Sequence, residues 1–285
     1  MMIPAYLMVW MFFYNNAKIA NIVQIYCYFC PVKKLNDIIQ PIAVDLQRFE
    51  TYFEHTLKAE TAPMNAILNY VRETRGKRVR PILVLLSAKA FGAVGEKTLR
   101  VASFVELVHT ATLIHDDVVD DSDQRRGKAS VKSRFGNLPA VLAGDYLLAK
   151  AMMLIANDAD ILNETLRTTM TMSEGELMQN QRNGGDYLDI ITRKTAMLMR
   201  SCCVVGAMSV GATERQVQQI SDFGLNFGIL FQLRDDLLDG EFTTEAQALL
   251  PEYKKKTLEA LQAFPDSEIR KALHELTLFC AEREE

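Results

Sequence analysis

Leu113-Ile-His-Asp-Asp-Val-Val-Asp-Asp-Ser-Asp-Gln-Arg-Arg-Gly127 is the stretch on which the reading of this chain turns. It gathers Asp116, Asp117, Asp120, Asp121 and Asp123, and Arg125 and Arg126 follow at once. The residues before it, Val101 to Ile114, are apolar and predict a buried helix. Positions three or four apart on a helix share a face, so Asp120 presents its carboxylate beside those of Asp116 and Asp117. Like charges at that spacing repel and destabilise the helix, which suggests a bound cation. Oxygen donors alone, with no Cys or suitably spaced His, favour a hard ion such as Mg2+ that keeps waters or substrate phosphates. A solvated acidic helix end is the plain alternative for one such cluster. A second copy, Asp235-Asp-Leu-Leu-Asp239, again ends an apolar run and tips the balance toward a pair of cation sites.

The chain has 285 residues, 49% of them hydrophobic and 24% charged, enough for a sizeable globular core in one large domain or two small ones. With only 14 Gly and 8 Pro, and apolar residues spaced by three and four, it predicts an all-α protein. The net charge of -4, with basic and acidic residues interspersed, gives no reason to expect nucleic acid. Cys202 and Cys203 are adjacent and Cys280 stands alone, so the cysteines form no disulfide framework and fit a reducing cytoplasm. Cys27-Tyr-Phe-Cys30 lacks the second pair or nearby His that a metal site needs.

Residues 1–34 form an apolar N-terminal extension unlike the remainder. They lack a basic leader and cleavage site, and neither apolar run reaches the roughly 20 residues of a spanning helix. A membrane-surface anchor, an extra helix packed on the body and an upstream start codon all stay open, with membrane contact at most peripheral. Residues 35–285 are the helical domain. Leu35, Ile38, Ile39, Ile42, Leu46, Phe49, Phe53 and Leu57 predict one amphipathic helix. Pro63 opens a shorter helix, and Gly76-Lys-Arg-Val-Arg-Pro81 is a basic loop suited to phosphate, unless it is simply a solvated turn. Helices are then expected over Ile82 to Phe91, Thr98 to Asp120, 161–180, Tyr187 to Gly211 and Thr213 to Asp239. Gly144 starts or interrupts one more, Asp121 to Lys132 is a polar loop, and Asp266 or Ser267 caps the last helix. Such helices suit a single bundle around a central cavity, with the two Asp clusters facing each other across it.

Taken together and in order, Gly76-Lys-Arg-Val-Arg-Pro81, His109, His115-Asp-Asp-Val-Val-Asp120, Arg125-Arg-Gly127, Lys194-Thr195 and Phe231-Gln-Leu-Arg-Asp-Asp-Leu-Leu-Asp239 make a specific combination. From about Lys33 onward the chain resembles the trans-isoprenyl diphosphate synthases, most closely the long-chain all-trans polyprenyl diphosphate synthases. The resemblance implies the isoprenoid synthase type of helical bundle, usually as a homodimer. It implies a prenyltransferase that ionises an allylic diphosphate and joins the cation to isopentenyl diphosphate, several Mg2+ ions neutralising the leaving group. The metal ligands it implies are Asp116, Asp120 and nearby Asp117, with Asp235, Asp236 and Asp239. Lys77, Arg80, His109 and Arg126 match positions that hold isopentenyl diphosphate; Arg125, Lys194, Thr195 and Gln232 match those that contact the allylic diphosphate. By residues alone His109 reads equally as a hydrogen-bonded core histidine. Thr112, Ala111 and Val108 would wall the tunnel for the growing chain; none is aromatic, which implies a long product.

The chain departs from this family after Asp239, where Gly240-Glu-Phe-Thr-Thr-Glu245 leads straight to the terminal helices. Either the lysine-bearing lid usual there is deleted or the sequence omits that segment, and the connection before Tyr187 is also slightly short. A non-catalytic subunit or degenerate homologue of such a synthase is therefore the alternative, and a terpene cyclase a third reading that the basic loop opposes.

Overall fold

The computed structural model describes residues 31–74, 76–179 and 186–283. Residues 1–30 of the extension, including the Cys27 and Cys30 pair, lie outside them. Pro31 already starts the first described helix, α1 (Pro31–Ile38), so the boundary expected at residue 34 falls inside a helix. A 3-10 turn, Gln40–Ile42, separates α1 from α2 (Ala43–Thr56). The single helix expected over 35–57 is thus broken at Pro41, which has no N–H to continue the ladder and restricts the residue before it. The apolar stripe survives the break: Ile38, Ile39, Ile42, Phe49 and Phe53 are all buried.

Next come α3 (Ala62–Glu73), with Pro63 in its first turn, and α4 (Val79–Phe91). Every residue from Pro81 to Ala88 is buried, so α4 is the central helix and apolar all round. Leu83, Val84, Leu85 and Leu86 are fully buried, each contributing about 1.5–3 kcal/mol before chain entropy is counted. On either side of α4 lie α5 (Glu96–Val119), which carries the first acidic motif, and α10 (Met197–Ser209).

Between α5 and α10 the chain runs through a two-stranded hairpin (β1 Gln124–Arg125, β2 Lys128–Ala129) and a short helix, α6 (Val131–Phe135). The polar loop expected there is folded, and its Arg126-Gly127 turn explains why. Both turn residues have positive φ, 54° and 73°, as the two-residue turns of tight hairpins require. Then α7 (Asn137–Ile155) packs along α5. Gly144 neither starts nor interrupts it; a Cβ there would stand 2.1 Å from the His115 ring, so the glycine lets the two helices approach.

Helix α8 (Ala159–Gln179) leads to α9 (Tyr187–Ile191), a π-helical segment over Thr192–Ala196, and α10. The helix expected without interruption from Tyr187 therefore changes winding at Lys194-Thr195. Helix α11 (Glu214–Asp239) starts at a capping box of Thr213 and Gln216 and stops at Gly240, whose φ of 75° closes it. After only Gly240–Phe242 the chain turns into α12 (Thr243–Ala260), which packs on α11, and α13 (Glu268–Glu282) is capped by Ser267, not Asp266. Apart from the hairpin the described residues form an all-α bundle, and α8, the π segment and α5 enclose a cavity at one end of it.

Candidate active site

Successive residues on a helix point about 100° apart, and this separates the carboxylates at the end of α5. Asp116 faces a cavity of about 450 Å3, lined also by Thr112, Leu113, Met172, Glu176, Lys194 and Thr195. Burial raises the Asp116 pKa, the Glu176 charge adds to that, and Lys194 opposes it. Asp120 is exposed beyond it. Asp117 points the other way: it is 2% exposed and accepts from Arg125 Nε at 2.9 Å. The structure thus ties Asp117, expected among the metal ligands, and Arg125, expected at the allylic diphosphate, to each other.

Of the three expected wall residues only Thr112 lines this cavity. Val108 and Ala111 are buried and fall, with Phe104, on the stripe of His115, which meets α7 at Gly144. The spacing from Asp116 selects a face that belongs partly to the packing of α5 on α7.

A second cavity, about 520 Å3, is lined by Lys77, Arg80, His109 and Arg126, together with Phe231 and Arg283. All four residues matched to isopentenyl diphosphate therefore meet there. The loop that carries them is held by Arg78, which adopts a left-handed conformation (φ 57°) and turns its side chain inward. Its Nε donates to Glu50 at 3.0 Å, it pairs with Glu106, and it lies over the Phe53 ring. The middle arginine of the basic motif is thus an anchor, and Lys77 and Arg80 beside it reach the cavity. On the hairpin, Arg126 donates to the Thr74 carbonyl at 3.0 Å.

Arg80 and His109 line both cavities and so form their shared wall. Arg80 Nη1 lies 2.9 Å from His109 Nε2. A guanidinium only donates, so Nε2 is the acceptor and the ring proton sits on Nδ1. Burial, and then the charge of Arg80, lower the His109 pKa to about 2, and the ring is neutral.

Lys194 and Thr195 reach the first cavity from the π segment, which two glycines clamp. A Cβ on Gly175 of α8 would stand 2.8 Å from the Lys194 amide nitrogen, and one on Gly228 of α11 would stand 2.6 Å from the Ala196 Cα. Lys194 then pairs with Glu176 at 2.7 Å and donates to Gln179 at 2.9 Å.

At the second motif Asp236 is buried and accepts from Gln232 at 2.7 Å and from the Tyr187 hydroxyl. Burial, followed by that carboxylate, raises the Tyr187 pKa. Asp235 is paired with Arg283, and Asp239 is exposed. Gln232 therefore serves Asp236 and does not line the first cavity. Of these two cavities, the first motif borders one through Asp116, and the other is bordered by Phe231, just before the second motif, and by Arg283, which pairs with Asp235.

Among the described residues no three carboxylates or other donors converge as a ready-made metal cage. The donor set nonetheless fits Mg2+, which is held by one or two carboxylates and completes its shell with water and phosphate. Asp116 and Asp120 are such a pair, one turn apart beside a cavity with a cationic side chain. Sequence reasoning does not single out Glu106, Glu176, Tyr187 and Arg283, whose roles depend on partners distant in the chain.

A family model described as polyprenyl synthetase matches residues 61–250. Octaprenyl diphosphate synthase from Haemophilus influenzae is 35% identical over 219 residues, 74% of this chain and 67% of the relative. Heptaprenyl diphosphate synthase component 2 from Geobacillus stearothermophilus is 34% identical over 255 residues, 84% of this chain and 79% of the relative. Among solved structures, polyprenyl synthase from Caulobacter crescentus, complexed with calcium and isoprenyl diphosphate, superposes with a TM-score of 0.82 at 27% identity, covering 88% of this chain and 98% of that one. The chain spans about two thirds of the length of the octaprenyl relatives it matches.

The neutral His109 has a measurable consequence. In the unfolded chain it takes up a proton near pH 6.5, whereas in the folded protein it stays neutral down to about 2. Below pH 6.5 the unfolded state therefore binds more protons, and folding stability falls with pH by up to about 1.4 kcal/mol per unit from this group. In urea unfolding at a series of pH values, His109→Gln is expected to flatten that slope. An unchanged slope would show that His109 is not held neutral.

Proposed function

The chain belongs to the polyprenyl synthetase family of prenyl transferases, and from that premise we propose that it condenses isopentenyl diphosphate with an allylic diphosphate, repeatedly, to a long all-trans polyprenyl diphosphate. The observation that carries this reading is the pair of cavities that share Arg80 and His109 in their walls. One is cationic and suits the diphosphate of isopentenyl diphosphate, held by Lys77, Arg80 and Arg126. The other combines Asp116, Lys194 and Thr195 with apolar Leu113, Met172 and Leu198, and suits an allylic diphosphate with its hydrocarbon tail. A cyclase with one diphosphate substrate has no use for two such sites, and nothing among the relatives favours a non-catalytic subunit.

Asp116 and Asp120, with Asp235 and Asp239, would hold Mg2+ against the allylic diphosphate. Bound there, the ions supply charge neutralisation for the departing diphosphate. Asp117 fixes Arg125 beside the first motif, and Asp236, through Gln232 and Tyr187, fixes the end of α11. Lys194, poised between Glu176 and Asp116, meets the allylic diphosphate. His109 accepts from Arg80 and aims that guanidinium at isopentenyl diphosphate. The growing chain passes Thr112 first, with Ala111 and Val108, on the stripe of α5 that meets α7, as the deeper wall.

Leu138, Leu142, Met152 and Met153 on α7, with Leu166 and Met170 on α8, leave an exposed apolar face. Although α7 is long and apolar enough to cross a membrane, its other face is packed in the bundle. An apolar face of this extent on neighbouring helices suits a second copy of the chain, and we place a homodimer interface here. The free, buried Cys202, Cys203 and Cys280 fit the cytoplasm. We read the passage Gly240–Phe242 as lacking the lysine-bearing lid of the family.

Incubated with farnesyl diphosphate, labelled isopentenyl diphosphate and Mg2+, the folded protein is expected to yield a ladder of longer polyprenyl diphosphates; absence of any elongation would defeat the reading. Ala111→Phe should shift that ladder to shorter products, and an unchanged distribution would remove Ala111 from the wall. Sedimentation should give twice the monomer mass, with Met153→Glu, on the exposed face of α7, shifting the protein toward monomer.

A further inference from the structure

In the second acidic motif the first carboxylate is already occupied by a cation from the protein itself. Asp235 Oδ1 accepts from Arg283 Nη2. The Arg283 side chain is only 9% exposed, its guanidinium stacks on the Phe231 ring at 4.3 Å, and its Nε has no hydrogen-bond partner. The backbone is pinned just there: Arg234 of α11 donates through Nε to the Arg283 carbonyl at 2.7 Å, which fixes the point from which the side chain reaches into the site. The same guanidinium lines the cationic cavity opposite Lys77, Arg80 and Arg126.

One guanidinium thus stands between two anionic partners, a carboxylate and the place of a diphosphate, and its fork suits either. The two uses compete for one charge. A divalent ion on Asp235 competes with Arg283 for the charge of one carboxylate and weakens that pair, and a guanidinium left buried without an anion is costly. A diphosphate in the cavity removes that cost by accepting it.

Resting on the reading given above, we propose that Arg283 is an exchangeable counter-ion: it neutralises Asp235 in the resting protein and passes to the diphosphate of isopentenyl diphosphate, releasing Asp235 for the metal. Metal at the second motif and isopentenyl diphosphate then bind with positive cooperativity, equal in both directions. The second motif therefore fills its metal site more tightly when the cavity beside it holds isopentenyl diphosphate.

The test needs no turnover. Mn2+ is titrated into the full-length protein by calorimetry, with and without isopentenyl diphosphate and with no allylic substrate, and isopentenyl diphosphate is titrated without metal. In the wild type, isopentenyl diphosphate should tighten Mn2+ binding roughly tenfold. In Arg283→Gln, Mn2+ should bind tightly from the start with little further gain, and isopentenyl diphosphate alone should bind about tenfold more weakly. Arg283→Lys, which keeps the charge, should fall between and guards against a folding defect in the first variant. If Arg283→Gln retains both the wild-type affinity for isopentenyl diphosphate and the wild-type coupling to Mn2+, the proposal is overturned while the synthase reading stands. If the wild type neither binds isopentenyl diphosphate nor elongates a primer, the synthase reading fails and this inference with it.

Discussion

Carboxylates crowded at the end of an apolar helix repel one another, and the site depends on where the fold sets the opposing cations. Arg125 neutralises Asp117 and Arg283 neutralises Asp235, neutral Gln232 and Tyr187 hold the buried Asp236, and deeper in the fold Arg78 pairs with Glu106 and Glu50. Each ion pair joins separate elements of the fold, so charge neutralisation and tertiary structure are established together. Removing Arg125 would leave the Asp117 carboxylate, its side chain 3% exposed, as a charge in a place water hardly reaches, which costs several kcal/mol. Asp116, facing the cavity, and the exposed Asp120 and Asp239 are the part of each motif open to a metal before Arg283 releases Asp235. A five-residue acidic motif is therefore two things at once, a ligand set and an anchor, and the roughly 100° step between neighbours on a helix divides the roles.

Much of this is legible in the amino-acid sequence. Spacings of three and four locate the helices, because a helix that buries one face must repeat its apolar residues near 3.6. The paired acidic motifs and the basic loop locate the site, because like charges gathered at helix ends need a counter-charge. What stays hidden depends on partners or on backbone winding. Pro41 breaks a stripe whose periodicity runs straight through it. Arg126-Gly127 hides a hairpin in a run that reads as loop. Counting back from Asp116 picks out Ala111 but not that its stripe meets α7, since the neighbouring helix leaves no mark in the local spacing. The pairing of Asp235 with Arg283 spans 48 residues and has no local signal at all.

The π segment shows how a functional side chain is placed by packing around it. Lys194 is aimed by the absence of side chains on its neighbours: Gly175 and Gly228 let α8 and α11 close on the wider turn from opposite sides. Winding of this kind recurs at functional positions in helices. Here it brings Lys194 and Thr195 to one cavity while α10 continues into the core behind them.

The wall between the two cavities holds one arginine and one neutral histidine. Had the histidine been charged, the partition would have carried two positive charges facing two diphosphates, and its grip would have varied with every change in acidity. Held neutral, it gives the partition a single fixed charge. The electrical balance between the two substrates is thereby insulated from the pH of the compartment, in the one side chain that ordinarily reports it.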